Sequence, residues 1–204
     1  MGKIYKILKE INESNNSLKE TITLKTKELI KKQLDEYGIK NYTINNDLTV
    51  DVNGDVDLGD KNLTILPVNF RQVRGDFNID SNRLSTLEGC PEIVGGDFVC
   101  SFNKLTTLKY CPKEVGNGFY CNDNSLQSLV GAPKKVRVFN CSNNELKSLK
   151  GSPEIVNGSF FCNDNNLVDL EGAPKLVGGN FYCLNNPIKD FYSISGKVNG
   201  KIFK

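Results

Sequence analysis

Histidine is missing from all 204 residues, and so is tryptophan; the single methionine is Met1. Without histidine the chain lacks the commonest general base and metal ligand at neutral pH, and every Ser–His or Cys–His nucleophile pair. A catalytic site would have to be assembled from carboxylates, lysine, tyrosine or cysteine. No apolar run approaches the roughly 18–20 residues that cross a bilayer. The first residues, Met1-Gly-Lys-Ile-Tyr-Lys-Ile-Leu-Lys-Glu10, interleave charge with apolar side chains and lack the unbroken core of a secretory signal, so they read as part of the mature chain. A large charge of one sign is absent too: 26 Lys and Arg against 24 Asp and Glu leave a net +2, whereas a nucleic-acid-binding domain is clearly basic. Hydrophobic residues make up 38%, little for one globular core but enough for a repeat protein with two exposed faces. These absences predict no enzyme, no cofactor, no metal, no nucleic acid and no membrane.

What the chain does have is a repeat, which must be sought before any other feature. Aligning on Phe-x-Cys-x-x-Asn-x-Leu-x-x-Leu places phenylalanine at 77, 98, 119, 139, 160 and 181, in steps of 21, 21, 20, 21 and 21 residues. Two positions on stand Ile79, Cys100, Cys121, Cys141, Cys162 and Cys183, and three further on Asn82, Asn103, Asn124, Asn144, Asn165 and Asn186. Two apolar positions follow, Leu84 to Ile188 and Leu87 to Phe191, and then in five copies a proline and a valine, from Pro91 and Val94 to Pro174 and Val177. A degenerate earlier copy carries Val56, Leu58, Leu63 and Leu66.

The spacing dictates the unit. Phe-x-Cys has period two, so both side chains lie on one side of a short strand. The next copy stacks about 4.8 Å away in a parallel ladder, Phe on Phe and Cys on Cys. The leucines close the far wall, and Pro with Val shapes the return. Glycine pairs such as Gly95-Gly96 permit the turn back into the strand, but the copy through Val136-Arg137-Val138-Phe139 lacks the pair and is one residue shorter, which predicts a local irregularity there.

The repeat resembles the leucine-rich-repeat core Leu-x-Leu-x-x-Asn-x-Leu, in the short bacterial form with proline in the return arm. It is similar to repeats of small tailed-phage proteins and of bacterial secreted effectors, across residues 55–192. The resemblance implies a curved solenoid with a parallel sheet on its concave face and a habit of binding proteins. From the phage-type likeness it also implies a phage-encoded protein that engages or inhibits a host protein, and an odd cysteine count without a signal peptide suggests a reducing compartment, the cytoplasm. The expected fold class is therefore α+β: a leucine-rich-repeat-like β-solenoid at 55–204, preceded at 1–54 by N-terminal helices and a β-hairpin cap.

Seven cysteines invite a metal or disulfide reading, but no Cys-x-x-Cys pair occurs, and parallel inward thiols are poorly aimed for bridging. They read as small buried hydrophobes. The asparagine column reads as structural as well, its amides satisfying the carbonyls where each strand ends.

Upstream, Ile4, Ile7, Leu8 and Ile11 have helical spacing. Ser17 to Glu20 reads as a capping box for a second helix reaching about Tyr37 and stopped by Gly38, with Leu18, Ile22, Leu29, Ile30, Leu34 and Tyr37 as its contacts. Tyr42-Thr-Ile and Leu48-Thr-Val-Asp-Val read as a hairpin. Nine lysines against six acids in residues 1–40 are too modest a surplus for a DNA or membrane arm. The helices serve either as a cap or as a self-association element, and a homo-oligomer through them is the competing function.

With Phe and Cys inward, the residue between them faces out: Asn78, Val99, Tyr120, Asn140, Phe161 and Tyr182. This column is the expected protein-binding surface, anchored by its three aromatic rings.

Overall fold

The computed structural model describes residues 16–191, 194 and 196–204. The amphipathic stretch with Ile4, Ile7, Leu8 and Ile11 lies outside them, so one helix is described where two were expected. That helix, α1, spans Asn16–Glu36. The capping role expected of the Ser17 side chain lies outside what is described. Its end follows the expectation: Gly38 takes φ 69°, its N–H bonds Asp35 O at 3.1 Å, and the N–H of Ile39 bonds Leu34 O at 2.9 Å. These two bonds and the buried Ile39–Leu34 pair make a Schellman ending. The inner stripe is Thr26, Ile30 and Leu34, whereas Leu29, an expected contact, is 45% exposed. Thr26 can be buried because its hydroxyl donates to Ile22 O at 2.8 Å.

After α1, β1 (Tyr42–Ile44) pairs antiparallel with β2 (Val50–Val52), and the solenoid begins. Each coil carries a front strand and a return strand. The front strands are β3 (Val56–Asp57), β5 (Phe77–Asn78), β7 (Phe98–Val99), β9 (Gly118–Tyr120), β11 (Val138–Asn140), β13 (Phe160–Phe161), β15 (Phe181–Tyr182) and β17 (Ile202–Phe203). They form one eight-stranded parallel sheet in chain order, with Phe77, Phe98, Phe119, Phe139, Phe160 and Phe181 in register. The degenerate copy is a true coil, since Val56 pairs with Phe77, and the C-terminal stretch adds one more, with Phe181 paired to Ile202.

Valine was expected only to shape the return arm, yet it builds a second set of strands. These are β4 (Phe70–Val73), β6 (Ile93–Val94), β8 (Glu114–Val115), β10 (Lys135–Val136), β12 (Ile155–Val156), β14 (Leu176–Val177) and β16 (Lys197–Val198). They divide into a five-stranded sheet, β1-β2-β4-β6-β8, and a four-stranded sheet, β10-β12-β14-β16. The division falls on the short copy. In the coil before it, Gly116 N–H donates to Val94 O at 2.9 Å, in register; in the short copy Arg137 N–H reaches past Val115 to Asn117 O at 2.8 Å. One residue too few makes the chain re-enter the front sheet early, so the return ladder is interrupted while the front ladder is not. A side chain at Gly116 is barred, because a Cβ there would stand 2.0 Å from Gly95 O; Arg137 fits the same place only because its coil is offset.

Between the sheets runs one continuous core. The six inward phenylalanines are fully buried, stacked at 5.0–6.0 Å between centroids, and the leucine and cysteine columns beside them are buried as well. Ile30, Leu34 and Ile39 belong to the same core as Val50 and Val52.

Candidate functional site

The front sheet brings Asn78, Val99, Tyr120, Asn140, Phe161 and Tyr182 into one outward column, each half-buried. The column is not uniform. In its N-terminal half the polar groups are engaged with one another: Asn78 Nδ2 donates to Asp57 Oδ1 at 3.1 Å, and the Asp80 N–H donates to Asn78 Oδ1 at 3.1 Å. Ser101, in the neighbouring outward position, is buried and donates to Asn122 Oδ1 at 2.7 Å. The acidic rim is likewise tied down, with Asp97 accepting the Gly118 N–H at 2.7 Å and Asp164 accepting from Asn185 at 2.8 Å.

Of the three expected aromatic anchors, only two meet. Phe161 and Tyr182 stack at 4.6 Å with 3° between planes, and Phe203 continues the stack at 4.6 Å and 6°. Phe203 was missed because the strand signal there, Lys201-Ile-Phe203, lacks the Cys and Asn that mark the other copies. The Tyr182 hydroxyl accepts a 3.0 Å bond from Asn180. Tyr120 stands apart, separated from the stack by Asn140, and its ring folds back over Gly118, where a Cβ would lie 2.5 Å from the ring. Partial burial, with Asp97 nearby, raises its hydroxyl pKa. Leu184, 39% exposed in the next outward position, adds to the apolar strip of the last coils.

The cysteines are poor nucleophiles. Burial pushes the thiols of Cys90, Cys100, Cys121 and Cys162 far above their ordinary value and that of Cys111 up to about 12. Cys121, Cys141, Cys162 and Cys183 each donate S–H to a carbonyl of the following coil, at 3.2–3.4 Å. Among the described residues no group of three His, Cys, Asp or Glu is placed to hold a metal, and no helix is long and apolar enough to cross a membrane.

Where the return ladder breaks, a groove of about 490 Å³ opens, lined by Ile93, Lys113, Glu114, Lys134, Lys135 and Arg137. Two of its four cations are ion-paired, Lys113 with Glu92 at 3.3 Å and Lys134 with Glu154 at 3.0 Å, and Arg137 donates to Asn117 Oδ1 at 3.3 Å.

Compared with known protein families, with curated proteins and with solved structures, the chain shows no significant match.

Proposed function

We propose that the chain is a non-enzymatic, leucine-rich-repeat-like solenoid that binds a protein partner through the outward face of its eight-stranded sheet. The observation that carries this reading is the stack of Phe161, Tyr182 and Phe203 on a face whose remaining outward positions are mostly hydrogen-bonded Asn, Ser and Asp, with Val99, Tyr120 and Leu184 among them. A rigid apolar strip rimmed by polar groups suits a protein interface, because aromatic anchors bury much area for little conformational entropy. The rings spend their faces on one another and offer mainly their edges, which disfavours bases or sugars that would need a free face. The raised thiols and the lack of histidine support a binding role over a catalytic one. The engagement of a bacterial host protein rests on the phage-type resemblance. In this reading α1 and β1 shield the apolar N-terminal end of the stack.

The test is capture from bacterial lysate with the purified protein beside its Phe161→Ala/Tyr182→Ala variant, followed by affinity measurement on the captured protein. The variant is expected to bind about thirtyfold more weakly, the loss of about 2 kcal/mol typical of a central aromatic anchor. Tyr120→Ala, outside the stack, is expected to change affinity less than about threefold. Equal binding by the wild type and the double variant would remove the stack as the site.

A further inference from the structure

The coil at residues 98–118 departs from its neighbours at two backbone positions, and each departure carries an exposed aromatic ring. At the turn after each front strand the chain uses a left-handed residue: Ser81, Phe102, Asp123, Asn143, Asp164 and Asn185, with φ between 52° and 56°. Five of these are Ser, Asp or Asn, whose short polar side chains bond locally and ease that conformation. Phe102 has no such relief, and it is 55% exposed. At the second turn, just before the proline position, the other coils use Gly89, Gly131, Gly151 and Gly172, with φ from 85° to 107°. Here the coil places Tyr110 at φ 69°, 51% exposed.

A bulky side chain at positive φ is strained, and neither ring offsets that strain by burial. Nor does hydrogen bonding help Tyr110, whose ring contact among the described residues is Lys109 Nζ, 4.6 Å from its centroid. Two independent positions in one coil therefore hold aromatic rings outward where glycine or asparagine would fit the backbone better. Such outliers persist where the exposed group has a use.

The flank between the two turns is basic and apolar. Lys104 and Lys109 lie along it, Arg83 occupies the Lys104 position of the preceding coil, and Val130, 65% exposed, occupies the Lys109 position of the next. Among the described residues none of Arg83, Lys104 and Lys109 is in an ion pair. Glu88 is the one acid at these positions in the same coils. A nucleic-acid strand needs an unbroken track of cations, and the track is interrupted here: the next coil has Ser125, Gln127 and Val130 at these positions, and the coil after it sets Glu145 beside Lys147 and Lys150.

The geometry points to this flank as a docking surface for an acidic, apolar segment of a partner protein. Its carboxylates lie against Arg83, Lys104 and Lys109, and its large apolar side chains against Phe102, Tyr110 and Val130. The surface is distinct from the ring stack of the front sheet and does not depend on it.

The variant Phe102→Asn/Tyr110→Gly gives this coil the residue types its neighbours use. It is expected to melt no lower than the wild type, since strain is removed with the rings. A library of random peptides displayed on yeast, selected on the wild type and counter-selected on the double variant, is expected to yield sequences joining Asp or Glu to Leu, Phe or Trp. These peptides should bind the wild type about tenfold more tightly than the variant, weaken as salt rises, and bind the Phe161→Ala/Tyr182→Ala protein undiminished. Melting of the double variant well below the wild type would make the rings structural and overturn the proposal. So would enrichment of basic peptides, equal binding to both proteins, or preferential binding of an oligothymidine probe that the double variant loses.

Discussion

Asn144 shows how much of this molecule rests on one side chain repeated. Its Nδ2 donates to Cys121 O, Cys141 O and Ser142 O at 3.1–3.2 Å, and its Oδ1 accepts the Leu126 N–H at 2.9 Å. The same bonds recur at Asn103, Asn124, Asn165 and Asn186, so each amide closes its own turn and stitches it to the preceding coil. Asn144→Ala leaves the buried Leu126 N–H without its acceptor and takes one of two donors from each carbonyl, since Asn124, Asn165 and the Asp123 N–H still reach them, and is expected to cost about 2 kcal/mol in urea unfolding; Asn144→Asp, which turns a carboxylate oxygen toward three carbonyls, is expected to cost at least as much. A loss well under 1 kcal/mol (about half the smallest desolvation penalty per group) would contradict the role. On the return face, Lys175 and Lys134 hold the Glu154 carboxyl below its ordinary 4.5, at about 2. A depressed carboxylate stabilises the fold above its unfolded value, and that stabilisation is lost as the pH falls toward about 2. The urea midpoints of wild type and Glu154→Gln should therefore differ slightly at neutral pH and converge near pH 2; a gap that persists in acid would count against the ion pairs. The effect is small because all three groups are exposed to solvent.

Among the elements, the return sheet shows what one residue decides. Its strands pair in register within each half, β10 with β12 included, and the ladder stops between β8 and β10, in the coil where three residues instead of four lead from the return valine, Val136, to the front phenylalanine, Phe139. The front sheet absorbs the same deletion, because the Phe119–Phe139 stack and the Asn column hold β9 and β11 in register. Inserting glycine between Val136 and Arg137 restores the longer return. The expected result is one continuous return sheet, seen as slower hydrogen exchange at the Lys135 and Val136 amides. Unchanged exchange would mean that the break has another cause than length.

The whole molecule is a stack in which each coil buries its apolar face on its neighbours, so the core is a set of columns and not a centre. Its surface divides by position in the coil. The front face carries the ring stack near its C-terminal end, the return face carries paired charges, and the flank between the turns carries most of the exposed apolar groups, including Ile65, Phe102, Tyr110, Val130 and Val168.

The sequence by itself determined the repeat, its register, the inward Phe, Cys and Leu columns, the structural role of the asparagines and the site of the irregularity. Each of these follows from period and spacing, which a stack of like units converts directly into neighbours. It left hidden whatever depends on how one coil meets the next in space. The return strands were missed because two residues per coil are too few to show a period. Phe203 was missed as the third ring because its copy is degenerate, and that Tyr120, in the expected column, stands apart from the stack with its ring over Gly118 is seen only in the structure. The strain at Phe102 and Tyr110 was equally invisible, since a positive φ belongs to the backbone path, and only the closed coil decides which residue must take it.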